Sequence, residues 1–346
     1  MSSCCLSERQ AIAWSLAMSS SFVGSLYLVP LRWRRLHRDE PAHVRARFVA
    51  VAAATSASLW AFAVVTRSGE CFGGLARALG ASDSSQCCVK SQQVAAGPFE
   101  VAKATIASLA LTASLYLGQI AASATVALRF GIGPRRVRWP STVAVRNLLV
   151  GPVSEEIVFR ACMVPLLLEA GFSLPRAVFV SPLFFGVAHL HHLKRHIVED
   201  RMSVAVALAH TALQFAYTTL FGIFTAFLFV RTAHLAAAVA SHVFCNYAGL
   251  PDLGFLWPPA KRDLRWLSAR DRAAAVFLHS HKPALLAAYG FGILLFALSL
   301  FPLTGPTLFA SPFWPPPRSS SGDSSACKKT PLRPVAPGSL LFMPSS

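Results

Sequence analysis

The feature that most constrains this chain is a series of apolar blocks, each near the length of a helix that crosses a bilayer. Residues 10–31, 48–66, 104–128 and 285–303 contain no interior charge, and a hydrocarbon core is spanned by about 20 such residues. Residues 143–168, 174–190, 203–230 and 234–250 are as apolar but carry a few polar side chains. Inside hydrocarbon every backbone amide must be satisfied within the chain, which leaves helices or closed barrels, and blocks this long are helices. The sequence therefore predicts an all-α, polytopic membrane bundle of about eight transmembrane helices.

Charge supports this. Charged residues make up 14% of the 346, against roughly a quarter in soluble domains. The net charge of +17 raises the question of nucleic acid, but its distribution argues against it. Arg32, Arg45 and Arg47, then Arg135 and Arg146, then Lys194 and Arg195, then Lys261 and Arg272 sit between apolar blocks. Basic loops of that kind orient membrane helices, positive side to the cytosol. With eight spans all four basic loops fall on one face.

Domain organisation follows from the same blocks. A short segment, 1–9, precedes a single membrane domain over 10–305. Within it, residues 67–98 form a polar, Gly/Ser-rich insertion expected on the lumenal side. Residues 306–346 are rich in Pro and Ser and read as a disordered tail.

The polar residues inside the blocks point to chemistry. Residues 151–168 read GPVSEEIVFRACMVPLLL. Glu155 and Glu156 lie about nine residues past Arg146, roughly 14 Å along a helix, at a depth where an ionisable group is costly and marks function. Glu156 and Arg160 are four apart and can pair on one face. Glu155 is turned about 100° away, free to face the bundle interior. In residues 181–192, SPLFFGVAHLHH, His189 closes an apolar helix one turn after Phe185 and can hold or polarise water. In residues 241–249, SHVFCNYAG, His242 and Asn246 are again four apart and present two hydrogen-bond donors together. His210, Gln214 and Tyr217 read as packing or groove-lining residues.

One unpaired carboxylate, a histidine near it in depth and a His/Asn donor pair suit water activation by Glu155 with His189. His242 and Asn246 would then stabilise a tetrahedral oxyanion. The same residue types could hold zinc or relay protons in an ion-coupled transporter. Residue types alone leave these readings open.

Taken together, E-E-x-x-x-R ending at Arg160, F-x-x-x-H ending at His189 and H-x-x-x-N ending at Asn246 resemble the three motifs of the type II CAAX prenyl endopeptidases. These are Ras-converting proteases within the wider CPBP (abortive infection) membrane-protease family. RNLLVGPVSEEIVFRACMVPLL, FAYTTLFGIFTAFLFVRTAHL and RDEPAHVRARF also resemble the eukaryotic branch, and the likeness covers roughly residues 10–305. It implies endoproteolytic release of the last three residues from farnesylated or geranylgeranylated CAAX proteins, such as Ras-type small GTPases, at the endoplasmic reticulum membrane. It implies Glu155 as base, His189 beside the water, and His242 and Asn246 as oxyanion hole. Glu156, Arg160 and Phe185 would support the site, and no metal or other cofactor is expected.

Overall fold

In a computed structural model of the protein, the described residues are 6–30, 33, 37, 39–67, 97–133, 139–259, 267–305, 308, 309, 311 and 313. The chain divides into Met1–Pro315, which holds every described residue, and Pro316–Ser346. Most of the expected insertion at 67–98, nearly all of the Pro/Ser-rich tail, and Arg32, Arg135 and Lys261 lie outside the described residues.

All regular structure among the described residues is helical. Helices α1 (Glu8–Ser25) and α2 (Pro41–Arg67) lead into a bent pair, α3 (Pro98–Leu115) and α4 (Leu117–Phe130). A composite rod, α5, follows. Its α-helical pieces Thr142–Val145, Gly151–Glu156 and Met163–Glu169 are joined by π-helical segments Arg146–Val150 and Ile157–Cys162. Then come α6 (Leu174–Ala188), a 3₁₀ turn at His189–His191, α7 (His192–Val198), α8 (Val204–Thr232), α9 (Leu235–Ala248), α10 (Ala269–Ser280) and α11 (Lys282–Leu300).

Local chemistry sets several boundaries. Ser7 and Gln10 form a reciprocal capping box at the start of α1, which satisfies two otherwise unpaired amides. Ser141, Ser203 and Ser268 cap α5, α8 and α10 by accepting a backbone N–H on their hydroxyls;. Gly131 ends α4 at φ +67°, a left-handed conformation glycine adopts without a Cβ clash.

Among the described residues, three helices are long and apolar enough to cross a membrane: Pro41–Thr66, Val204–Thr232 and Lys282–Leu300. The bent pair Pro98–Leu115 and Leu117–Phe130, kinked by 74°, makes a fourth if it counts as one span. The other apolar blocks also become helix, but in shorter or interrupted pieces. Large apolar side chains such as Val49, Trp60, Leu220 and Leu298 point outward, as surfaces bathed in lipid do.

Inside, small and hydroxylated residues let helices approach. Gly222 of α8 abuts Pro182 of α6, and Gly292 of α11 abuts the Ser114 carbonyl of α3. Thr112 donates to Ser241 Oγ at 3.0 Å, tying α3 to α9, and Ser19 donates to the Phe184 carbonyl at 3.2 Å, tying α1 to α6. The main apolar core lies around α5, where Phe159, Met163, Leu166 and Leu167 meet Met18, Phe22, Phe62 and Phe185.

Candidate active site

The site begins with Pro152. A π segment bonds each N–H five residues back instead of four, and the Gly151 N–H duly reaches the Arg146 carbonyl;. The Asn147 carbonyl is thereby passed over, and the next residue able to serve it in a π ladder is Pro152, which has no N–H. Asn246 Nδ2 takes that carbonyl at 2.9 Å. The break in one helix thus creates the acceptor that positions a side chain from another. The α9 end of this contact is secured. Tyr116 Oη donates to the Gly249 carbonyl at 2.8 Å, and Gln119 Nε2 donates to the Ala248 carbonyl at 2.9 Å, fixing the end of α9 against the α3–α4 bend.

Deeper in α5, Glu156 is fully buried and its Oε2 lies 3.1 Å from Arg160 Nε. The Arg160 guanidinium stacks over the Phe185 ring at 4.6 Å, a favourable cation–π placement. The second oxygen of Glu156 is taken by His242, whose Nδ1 lies 2.7 Å from Oε1. A carboxylate paired with arginine only accepts hydrogen bonds, so Nδ1 carries the proton of this contact. The other ring nitrogen, Nε2, lies 3.7 Å from Glu155 Oε2. His242 is therefore suspended between adjacent carboxylates on one helix. With one proton it presents a lone pair at Nε2, and with two it presents a donor there.

His189 is fixed in the same way. Its Nδ1 donates to the Phe185 carbonyl at 2.8 Å, which leaves Nε2 as the acceptor. Phe185 contacts both histidines edge-on, with ring centroids 4.7 Å from His189 and 6.3 Å from His242.

Glu155, Phe185, His189 and Asn246 line one cavity of about 1090 Å³, together with Arg146 and Asn147. Glu156 and Arg160 are buried behind them, and His242, also buried, reaches forward from Glu156 to bring its Nε2 within 3.7 Å of Glu155. The structure thus gathers all seven residues singled out from the sequence around one space. Sequence reasoning paired Glu156 with Arg160 and missed its hydrogen bond to His242, which joins residues 86 apart in the chain. It also missed Asn147; the only local signal was the Gly-Pro pair at 151 and 152 inside an apolar block.

The family model of type II CAAX prenyl endopeptidases, Rce1-like, matches residues 137–248. CAAX prenyl protease 2 of Homo sapiens is 34% identical over 316 residues, covering 86% of this chain and 82% of that protein. The chain belongs to the type II CAAX prenyl endopeptidase family. CAAX prenyl protease 2 of Arabidopsis thaliana is 40% identical over 170 residues, 49% of this chain and 47% of that one. The Rattus norvegicus protein is 30% identical over 315 residues, 85% and 80% of the respective chains. No solved structure matches the chain. With its apolar helices, this family member is a multi-pass membrane protein. The stretch matched by the family model contains Glu155, Glu156, Arg160, Phe185, His189, His242 and Asn246.

Proposed function

We propose that this protein is a membrane-embedded endopeptidase that removes the C-terminal tripeptide from prenylated CAAX proteins. The observation that carries the reading is His242, held by Glu156 at one nitrogen and facing Glu155 at the other. Glu155 in turn opens onto the cavity it shares with His189 and Asn246.

Glu155 acts as general base on a water that His189 Nε2 helps hold. The water oxygen adds to the carbonyl carbon of the prenylated cysteine as its proton passes to Glu155. The resulting oxyanion accepts hydrogen bonds from His242 Nε2–H and from the Asn246 Nδ2 proton not spent on Asn147. His242 is a donor here only with protons on both ring nitrogens. Collapse expels the amine of the released tripeptide, which takes the proton from Glu155. One water is consumed, one peptide bond is broken, and the enzyme is regenerated.

A prenyl chain partitions into lipid, so a site within the bundle and open to the cytosol suits farnesylated or geranylgeranylated substrates of the Ras type. The basic loops support that orientation, the apolar blocks support about eight membrane segments, and the family likeness supports the endoplasmic reticulum membrane. Purified protein incubated with a farnesylated CAAX peptide should release the tripeptide, and should do so in the presence of a strong chelator. Chelator loss with zinc rescue would replace this mechanism by a metal-dependent one. Proton or solute flux in proteoliposomes without cleavage would replace it by transport.

A further inference from the structure

The endopeptidase reading leaves open how the enzyme measures three residues from the chain end. Arg146 lines the same cavity as Glu155 and sits on the same rod, nine residues earlier. In an uninterrupted α-helix nine steps of about 100° would set their side chains about 180° apart. The π segment at Arg146–Val150 accommodates one extra residue in its turn. The pair is then offset by about eight effective steps, some 80° around the axis and roughly 12 Å along it. An extended tripeptide spans about 10–11 Å from the scissile carbonyl to its terminal carboxyl carbon. The rod therefore sets the backbone of Arg146 about one tripeptide length from that of the proposed base.

Arg146 is also already engaged in the interaction such a role requires. Its side chain is 16% exposed, and Nη1 contacts Asp39 Oδ1 at 2.8 Å across 107 positions in sequence. Its Nε donates to Asn147 Oδ1 at 2.9 Å, which orients the guanidinium. Asp39 is the more exposed partner, at 43%. A carboxylate on the more exposed residue thus occupies a mostly buried arginine at the cavity wall. The other Lys and Arg side chains lining the cavity, Arg47, Lys194 and Arg195, belong to α2 and α7 and so lack the fixed register to Glu155 that a shared rod gives.

We propose that Arg146 is the receptor for the substrate's C-terminal carboxylate, with Asp39 as a placeholder that the substrate displaces. This rests on the endopeptidase reading above. Arg146 is a specificity-determining residue that leaves the reacting atoms to Glu155 and its partners, so its effect falls on KM.

The test compares farnesylated peptides ending in a free carboxylate and in a carboxamide, using the full-length protein in detergent. The wild type should show a KM for the amide about tenfold or more above that for the acid, with similar kcat. Arg146→Gln should raise the acid KM about tenfold and bring the acid/amide ratio near one, and Arg146→Lys should restore part of it. Asp39→Asn, a change at an exposed site, should lower the acid KM and leave the amide KM unchanged. An acid/amide preference that survives Arg146→Gln, or an acid KM unmoved in Asp39→Asn, overturns the proposal. A wild type that cleaves neither peptide instead brings down the endopeptidase reading itself, and this inference with it.

Discussion

Glu156 holds His242 through a 2.7 Å hydrogen bond while Arg160, 3.1 Å away on its other oxygen, holds Glu156. Buried charges depend on such pairing, because removing one partner strands the other. Glu156→Ala should destabilise the protein by about 3–5 kcal/mol by leaving Arg160 buried and unpaired. Glu156→Gln keeps the shape and should lower turnover on a farnesylated peptide by roughly 10–100-fold through misorientation of His242. Thermal unfolding in detergent and steady-state turnover read the two effects separately.

Glu155 differs from its neighbour in being 24% exposed towards the cavity. Glu155→Gln should therefore leave the melting temperature almost unchanged and reduce kcat by about 10²–10⁴-fold. Turnover near wild type in a folded Glu155→Gln protein would remove it from the role of base.

Asn246 offers a sharper contrast between isosteric changes. Asn246→Asp replaces the donor facing the Asn147 carbonyl, now at 2.9 Å, with an acceptor. It should cost about 10²–10³-fold in kcat and loosen the end of α9. Asn246→Ala should give a similar kinetic loss without the repulsion, so the alanine protein should melt higher than the aspartate one.

Gly222 reports on packing. A Cβ there would lie 2.7 Å from Pro182 Cβ and 3.3 Å from Arg160 Nη2. Gly222→Ala should cost about 1–3 kcal/mol by overpacking. It should also lower activity, because the strain falls on the arginine that steadies Glu156. A variant as stable and active as wild type would show that α6 and α8 separate at little cost.

His191, beyond the apolar part of α6, is held below its ordinary value of 6.5, first by burial and then by the charges of His189, Arg47 and Arg195. A folded value below the unfolded one means that the unfolded chain binds the extra proton first. The contribution of His191 to stability is therefore complete above about pH 6.5 and declines as pH falls below it. Melting temperatures of wild type and His191→Gln, measured from pH 7.5 to 5, should diverge in that direction, with the wild type losing more.

The sequence made much of this architecture legible, for reasons that can be located. Uncharged apolar blocks such as 48–66 and 285–303 had no alternative to becoming helix, and α2 and α11 follow them closely. The three polar motifs were visible because spacing of four on a helix is a local property, and Glu156–Arg160 formed as that spacing requires. What stayed hidden was non-local or depended on backbone register. No periodicity announces that Gly151 will bond Arg146, that Asn246 will claim the released Asn147 carbonyl, or that His242 will choose Glu156 across the bundle. Block length also said little about where helices break. The block at 143–168 is divided by two π segments, and the one at 234–250 yields the 14-residue Leu235–Ala248.

Phe185 touches Phe159, Arg160 and both histidines with one flat ring. A benzene ring cannot bend, so His189 and His242 share a common wall, and neither imidazole can swing without pushing on the surface that confines the other. The two behave as parts of one hinge-free fixture. Any pressure that tilts this ring, from the lipid side or from an occupant of the cavity, is felt at both together.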